Sequence, residues 1–430
     1  LHLSIRRQRQ MCIRDRLLRC SLWPLLHLGR DRAYVAGMGD PHEHMIPTTT
    51  RWLHDADAQQ VCRVVQDGGH RIYFVGGCVR DALLGLPDSD VDLSTDATPE
   101  AVMALAKAAG VKAVPTGIDH GTVTLVSGGK PFEITTFRRD VETDGRRAVV
   151  AFSTDIAEDA RRRDFTMNAL YATPEGRVID PLGGLPDLYA RRLRFIEDAG
   201  QRIREDYLRT LRYFRFMAWY GDPEAGPEPE ALDAIASNLD GLETLSAERV
   251  GQEFKKLLRA PDPAPALALM RQTGALPVLL PGSDDRWLSM LVHFEHMLGL
   301  EPDWLVRLAA LGGEALADRL RLSKAEAKRL TLLQEQGFAG PPLAELAYRH
   351  GAGIARGAAL LRGAMAEQMP ETTVLETISN AATARFPVMA KGLMPAFKGP
   401  ALGQELARLE QIWINSGFTQ TRAELLRKSS

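Results

Sequence analysis

Tyr73-Phe74-Val75-Gly76-Gly77-Cys78-Val79-Arg80-Asp81, followed a few residues later by Ser89-Asp90-Val91-Asp92-Leu93, decides the fold. The β-rich run 71–75 ends in two glycines, 79–84 carries a helical pattern closed by Gly85, and 90–93 reads as a second strand. Because strand side chains alternate, the carboxylates of Asp90 and Asp92, two apart, are expected on one face, where they can share divalent cations. Hard oxygen ligands suit Mg²⁺. Glu133, in the apolar-polar strand pattern 131–137, offers a third carboxylate from an adjacent strand, and three acids suffice for two metals ~4 Å apart. Upstream, Gly76 and Gly77 at a strand end before a helix present backbone N–H groups and a positive dipole end to the phosphates of a nucleotide, with Arg80 adding a charged fork. Taken alone, Asp-x-Asp is usually a solvated edge and Gly-Gly a turn. Their combination in one strand, glycine, helix, strand unit makes chance a poor explanation.

Outward from this unit the pattern is that of a small mixed sheet with helices. Helical periodicity covers 55–68 and 99–110, and two alternating runs, 121–127 and 131–137, flank the turn Gly128-Gly129. Residues 138–163 are charged with little apolar periodicity, 164–171 read as helix, and 178–184 as a strand entering a turn. Beyond Asp198 strand signals almost vanish and Leu, Ala, Arg and Glu dominate, so the second half is expected to be a chain of helical units. The fold class is therefore α+β.

Composition agrees with a globular chain: 430 residues, 45% hydrophobic, 25% charged, 53 Lys+Arg against 55 Asp+Glu. That excludes collagen-like, disordered and disulfide-scaffold classes. No apolar run reaches the ~18 residues of a membrane helix; the longest candidate, 17–28, is broken by Arg19, Cys20, Ser21 and Pro24. The four cysteines form no CxxC pair, which favours a reducing compartment without structural zinc, with cytoplasm as the expectation. Residues 1–45 imitate a targeting peptide through Arg6, Arg7, Arg9, Arg14, Arg16 and Arg19. They begin with Leu1, and Met11-Cys12-Ile13-Arg14-Asp15-Arg16 looks like translated sequencing adapter, so this stretch is read as a non-native or mis-assembled extension with a natural start at Met38 or Met45.

The blocks Gly76-Gly77-Cys78-Val79-Arg80-Asp81, Asp90-Val91-Asp92, Arg162-Arg163-Asp164-Phe165-Thr166-Met167-Asn168-Ala169-Leu170, Asp180-Pro181-Leu182-Gly183-Gly184 and Glu205-Asp206-Tyr207-Leu208-Arg209-Thr210-Leu211-Arg212 resemble, in order, the signatures of the class II tRNA nucleotidyltransferase and bacterial poly(A) polymerase family. The resemblance spans about 73–258. It implies a palm-like nucleotidyltransferase head over 50–195, a helical neck over 196–260 and a helical body and tail over 261–430 that hold an RNA acceptor. Thr116-Gly117-Ile118-Asp119-His120-Gly121-Thr122-Val123 looks like the form that adds CCA to tRNA. Asp140, Asp144, Gly145 and Arg146 lie in a stretch resembling the flexible loop of enzymes that add all three nucleotides or only the terminal A. The implied reaction is in-line attack of an RNA 3′-hydroxyl on the α-phosphorus of CTP or ATP, with pyrophosphate leaving, two Mg²⁺ ions on Asp90 and Asp92, and tRNA as partner. Arg163 and Asp164 resemble residues near the nucleotide ribose and phosphates, supported by Asn168.

Asp206 and Arg209, three apart on a predicted helix, are expected to be neighbours on one face. A carboxylate accepting from an exocyclic amino group beside a guanidinium donating to a ring nitrogen admits cytosine and adenine and repels uracil and guanine. The bland alternative is an i, i+3 salt bridge of ~0.3 kcal/mol; the resemblance favours templating. Arg191, Arg192, Arg194, Arg202, Arg204, Arg212 and Arg215 make the neck basic, with Arg212 and Arg215 as candidate nucleotide or RNA contacts. Ser246 with Glu248, Arg249 and Glu253 reads as a capping box opening a structural helix. His293 and His296 at helical spacing, and His54-Asp55, are read as packing or surface rather than as a metal or phosphohydrolase site. Other open readings are a poly(A) polymerase or A-adding enzyme and a catalytically silent RNA-binding module. Oligomeric state is not legible.

Overall fold

The structure is a computed structural model; it describes residues 44–428 except Asp88, Gly145, Arg146 and Pro395, with the side chains of Asp119 and of 140–150 also left undescribed. The expectation for 1–43 lies outside the described residues. Residues 44–46, by contrast, belong to the fold. His44 accepts from Val178 N at 2.8 Å, Met45 pairs with Arg177, and Ile46 is buried. The extension boundary drawn at residue 45 is therefore corrected at its end.

The head contains helix α1 (Ala56–Asp67), strand β1 (Ile72–Val75), helix α2 (Gly77–Leu83), β2 (Asp92–Thr95), α3 (Pro99–Ala108), β3 (Lys112–Gly117), β4 (Thr122–Ser127), β5 (Lys130–Thr136), β6 (Arg138–Asp144), β7 (Arg147–Phe152), α4 (Ile156–Arg161), β8 (Tyr171–Ala172), β9 (Val178–Ile179) and α5 (Leu185–Tyr189). Seven strands form one sheet in the order β3-β4-β5-β2-β1-β8-β9, with β2 and β5 parallel and the other pairs antiparallel. Alternation fixes the register: β4 buries every second residue, so Val123 and Leu125, with Phe132 and Ile134 of β5, face the core made by Val61, Cys62 and Val65 of α1 and Val102 and Ala106 of α3. Asp55 caps α1 by accepting from Asp57 N and Ala58 N, and Thr98 caps α3 ahead of Pro99.

Three expectations are corrected here. Residues 164–171 are not an α-helix: only a 3-10 turn, Thr166–Asn168, forms before β8 joins the edge of β1. The reason is local, since the Asp164 carboxylate accepts from its neighbour Phe165 N at 2.9 Å and from Asn168 Nδ2 at 3.0 Å, offering the backbone an alternative to the helical ladder. Second, the stretch expected as a loop around Asp140 and Asp144 is a hairpin of β6 and β7, paired from Arg138↔Phe152 to Asp144↔Arg147. The backbone of Asp140 and Asp144 is strand, their side chains lie outside what is described, and Gly145 and Arg146 lie outside the described residues. Third, β2 begins at Asp92, not Asp90. Its partner β1 ends at Val75, opposite Asp92, and on the other side the register of β5 would set Asp90 against Pro131, which has no N–H to donate.

From 199 onward the described residues are helical, as expected. The neck holds α6 (Ala199–Glu205), α7 (Leu208–Tyr220), α8 (Pro229–Ala236) and α9 (Ala247–Leu258). Ser246 caps α9 by accepting from Arg249 N; the expected reciprocal box is not formed, because the residue three positions on is an arginine and Glu248 instead meets Arg321 at 3.2 Å. Further helices follow to Arg427; most of those up to Ala364 extend the core of the neck, and the last ones pack on two separate apolar clusters, one around Leu346 and Ile378 and one around Leu409 and Trp413. A fully buried pair, Arg307 and Glu295 at 2.7 Å, ties the helices Leu288–Met297 and Trp304–Leu311 to the end of the neck, for Arg307 also donates to the carbonyls of Leu258, Ala260 and Pro261. His293 and His296 on either side of Glu295 are exposed. No helix among the described residues is long and apolar enough to cross a membrane.

Candidate active site

The site lies where β1, β2 and β5 meet the first turn of α2. Asp92 and Glu133 are in-register partners across the parallel pair β2 and β5, which puts both carboxylates on the sheet face opposite Phe132 and Ile134. Partial desolvation by its neighbours raises the carboxyl of Asp92, whose side chain still reaches solvent; Glu133 and Asp90 push the same way through like charge, and Arg163 opposes them. Asp90 thus belongs to the acidic group electrostatically, although it precedes the strand. No three His, Cys, Asp or Glu side chains among the described residues converge as a ready metal cage. The donor chemistry nonetheless fits a hard divalent cation, because the donors are all oxygens and Asp92 carries repulsion that a cation would relieve.

Beside the acids, Gly76 takes φ 72° and ψ −119°, a conformation open to glycine, and its N–H donates to Leu170 O at 3.1 Å. A β-carbon there would sit 3.4 Å from Arg163 Nη1. Arg163 is held from behind: Nε donates to the Tyr171 hydroxyl at 3.1 Å and Nη2 to Asp159 at 3.1 Å, while Tyr171 itself donates to Asp159 at 2.7 Å. The remaining nitrogen, Nη1, faces Gly76. Asp159 and Tyr171, which orient Arg163, were missed by sequence reasoning. The signal for Asp159 was present as an i, i+3 and i, i+4 pairing with Arg162 and Arg163.

Other expected site residues have different duties in this structure. Arg80 is buried, donating to Asp81 at 2.8 Å, Asn168 Oδ1 at 2.7 Å and the Tyr220 hydroxyl at 2.7 Å, so it is committed to protein rather than standing as a free phosphate fork. Asn168 bridges Arg80 to Asp164, and Asp164 accepts from Arg212 Nε at 2.7 Å. Arg215 pairs with Glu253 at 2.5 Å. Among the other neck arginines, Arg192, Arg194, Arg202 and Arg204 each have an acidic partner, so much of the basic run is internally neutralised. Asp206 and Arg209 do not share a helix face: Asp206 ends α6 in extended backbone at φ −154° and α7 starts at Leu208. Their side chains are not paired with each other either. Asp206 meets Arg249 at 2.7 Å, and Arg209 donates to Glu205 at 2.6 Å and to the carbonyls of Arg202 and Arg162 at 3.0 Å. Both remain at the junction of the head with the neck. The turn block behaves as read: Asp180 accepts from Gly184 N and Leu185 N and so caps α5.

Residues 72–194, which hold this sheet and its acids, match the family model described as the poly A polymerase head domain, and 227–286 match that of a probable RNA and SrmB-binding site of polymerase A. This region of the chain is thus similar to the poly A polymerase head domain. Among named relatives, the chain is 37% identical over 273 residues to the CCA-adding enzyme of Geobacillus stearothermophilus, covering 62% of this chain and 66% of that one. It is 44% identical over 190 residues to the human mitochondrial CCA tRNA nucleotidyltransferase 1, covering 44% of each. The chain spans 44% to 66% of the length of these curated relatives. The solved structure of the Bacillus stearothermophilus CCA-adding enzyme in complex with CTP superposes with a TM-score of 0.63 at 29% identity, over 84% of this chain and 92% of that one. A Thermotoga maritima CCA-adding enzyme shares the fold, with a TM-score of 0.65 at 19% identity, over 90% of this chain and 98% of that one.

Proposed function

We propose that this protein adds CMP and AMP, from CTP and ATP, to the 3′ end of tRNA without a nucleic-acid template. The observation that carries the reading is the in-register pairing of Asp92 with Glu133 beside Gly76 and the free Nη1 of Arg163, inside a head of this family. The division into head (50–195), neck (196–260) and body with tail (261–430) belongs to the same proposal. Gly77 and Arg163 bind the triphosphate, a backbone N–H and a guanidinium held by Asp159 and Tyr171 that need no reorganisation when the anion arrives, while Gly76, whose own N–H is taken by the Leu170 carbonyl, leaves room for the approach. Asp90 and Asp92, with Glu133 near, would hold Mg²⁺, which supplies charge stabilisation to the attacking and leaving oxygens.

Base selection falls to Asp206 and Arg209. The Asp206–Arg249 pair is partly exposed and so contributes little, ~0–1 kcal/mol, which lets a base amino group compete for the carboxylate. Arg209 makes three hydrogen bonds with its guanidinium and has five N–H groups, so donors remain for a ring nitrogen. Asp164, Asn168, Arg212 and Arg215 support this arrangement through the neck. The names of the relatives support tRNA as acceptor.

The test is incubation of the protein with Mg²⁺, labelled CTP or ATP, and tRNAs lacking CCA, lacking only the terminal A, or complete. Stepwise C, C, A addition that then stops is the expected outcome. A long A tail would select poly(A) polymerase, A addition alone an A-adding enzyme, and no incorporation a binding module.

A further inference from the structure

Helix α7 presents one stripe to the head. Arg209, Arg212, Phe216 and Tyr220 follow each other at spacings of three, four and four, and each has a head-side or stripe-side partner. Arg209 donates to the Arg162 carbonyl at 3.0 Å and Arg212 to Asp164 at 2.7 Å. Phe216 lies under three guanidinium groups, those of Arg80, Arg212 and Arg215, at 5.1, 5.4 and 4.4 Å. Tyr220, at the far end, accepts from Arg80 Nη2 at 2.7 Å, and its ring lies 4.1 Å beneath the same guanidinium. Arg80 sits on α2, whose first turn opens at the Gly76-Gly77 cradle, and only 5% of it is exposed. The two ends of α7 therefore touch the two halves of the site. Tyr220 is eleven residues, about 16 Å of helix, from Arg209.

We propose that Tyr220 and Arg80 form a latch that fixes the angle of α7 on the head, making Tyr220 a positioning residue for base selection; this rests on the proposed function above. A pivot at the end of a helix turns a small local shift into a larger displacement at the opposite end, and a hydrogen-bonded base reader tolerates little displacement. Phe216 and the Asp164–Arg212 pair hold the middle of the stripe, so removing the latch tilts α7 without detaching it. The charge-assisted bond from Arg80 is stronger than a neutral one, and it connects residues 140 positions apart in the chain.

The full-length protein is assayed as wild type, Tyr220→Phe, which keeps the ring and loses the acceptor, and Arg80→Lys, which keeps the charge and loses the fork. Incorporation of C or A is compared with that of U or G on tRNA lacking CCA, per active enzyme from burst titration, alongside thermal midpoints. The latch predicts a fall of about tenfold in the correct-to-incorrect ratio in both variants, the size of one charge-assisted hydrogen bond, with a lower kcat and a KM for CTP within about twofold of wild type. Lower thermal midpoints with an unchanged ratio per active enzyme would overturn the latch and leave a purely structural contact. A wild type that shows no preference for C and A would overturn the functional reading itself and the latch with it.

Discussion

Asp159 contributes to stability only while it is ionised, and its surroundings keep it so. Burial alone would raise its carboxyl, yet the Arg163 and Arg162 guanidinium groups and the Tyr171 hydroxyl hold it down from 3.8 to about 2. An acid lowered on folding stabilises fully above its unfolded value, and the contribution disappears as pH falls from about 4 through about 2. The difference corresponds to about 2 kcal/mol. Denaturant unfolding of wild type and Asp159→Asn should therefore differ by at least about 2 kcal/mol at pH 7 and converge toward pH 2; a gap independent of pH would contradict the assignment. At this scale the sequence holds a signal where ion-pair partners lie one helical turn apart, although it went unused. Asp159 with Arg163, and Glu205 with Arg209, are one helical turn apart. Arg80 was read as a phosphate fork and not as a partner of Tyr220, because no pattern in a single chain announces a tyrosine 140 residues away.

Elements show the same division. Strands β1, β4 and β5 and helices α1 and α3 were readable because alternation and capping act locally. The 164–171 segment misled since its leucine and alanine spacing looks helical, while Asp164 and Asn168 spend their side chains on neighbouring groups and on Arg212 and Arg80. The 138–152 hairpin was missed because β6 is almost wholly polar and its strand character comes from pairing with β7. The site depends on one tight crossing between elements: a β-carbon on Gly184 would stand 2.3 Å from the Thr166 carbonyl, directly beneath the RRDFT block. Gly184→Ala should cost about 1–3 kcal/mol through forced backbone movement. Urea unfolding measures it, and a loss below about 0.5 kcal/mol would show that this contact is not tight.

For the molecule as a whole, the acids sit on the head sheet while Asp206 and Arg209 sit at the head–neck junction, so under the proposed function neither part performs the reaction alone. The order of these parts was legible from five motif blocks and from the disappearance of strand patterns after Asp198. How they are fastened was not, because the ties are long-range: Arg212 to Asp164, Tyr220 to Arg80, and the buried Arg307 to the end of the neck. A basic neck proved to be largely a set of internal ion pairs, since net charge along a sequence does not reveal which acids fold against it. The central claim is that nucleotidyl transfer happens at the acidic pair of β2 and β5. Asp92→Asn keeps the shape of the side chain and removes its charge. In single-turnover incorporation of labelled CMP into tRNA lacking CCA, it should lower the rate by about a thousandfold while tRNA affinity by filter binding stays within about twofold; incorporation at the wild-type rate would contradict the account.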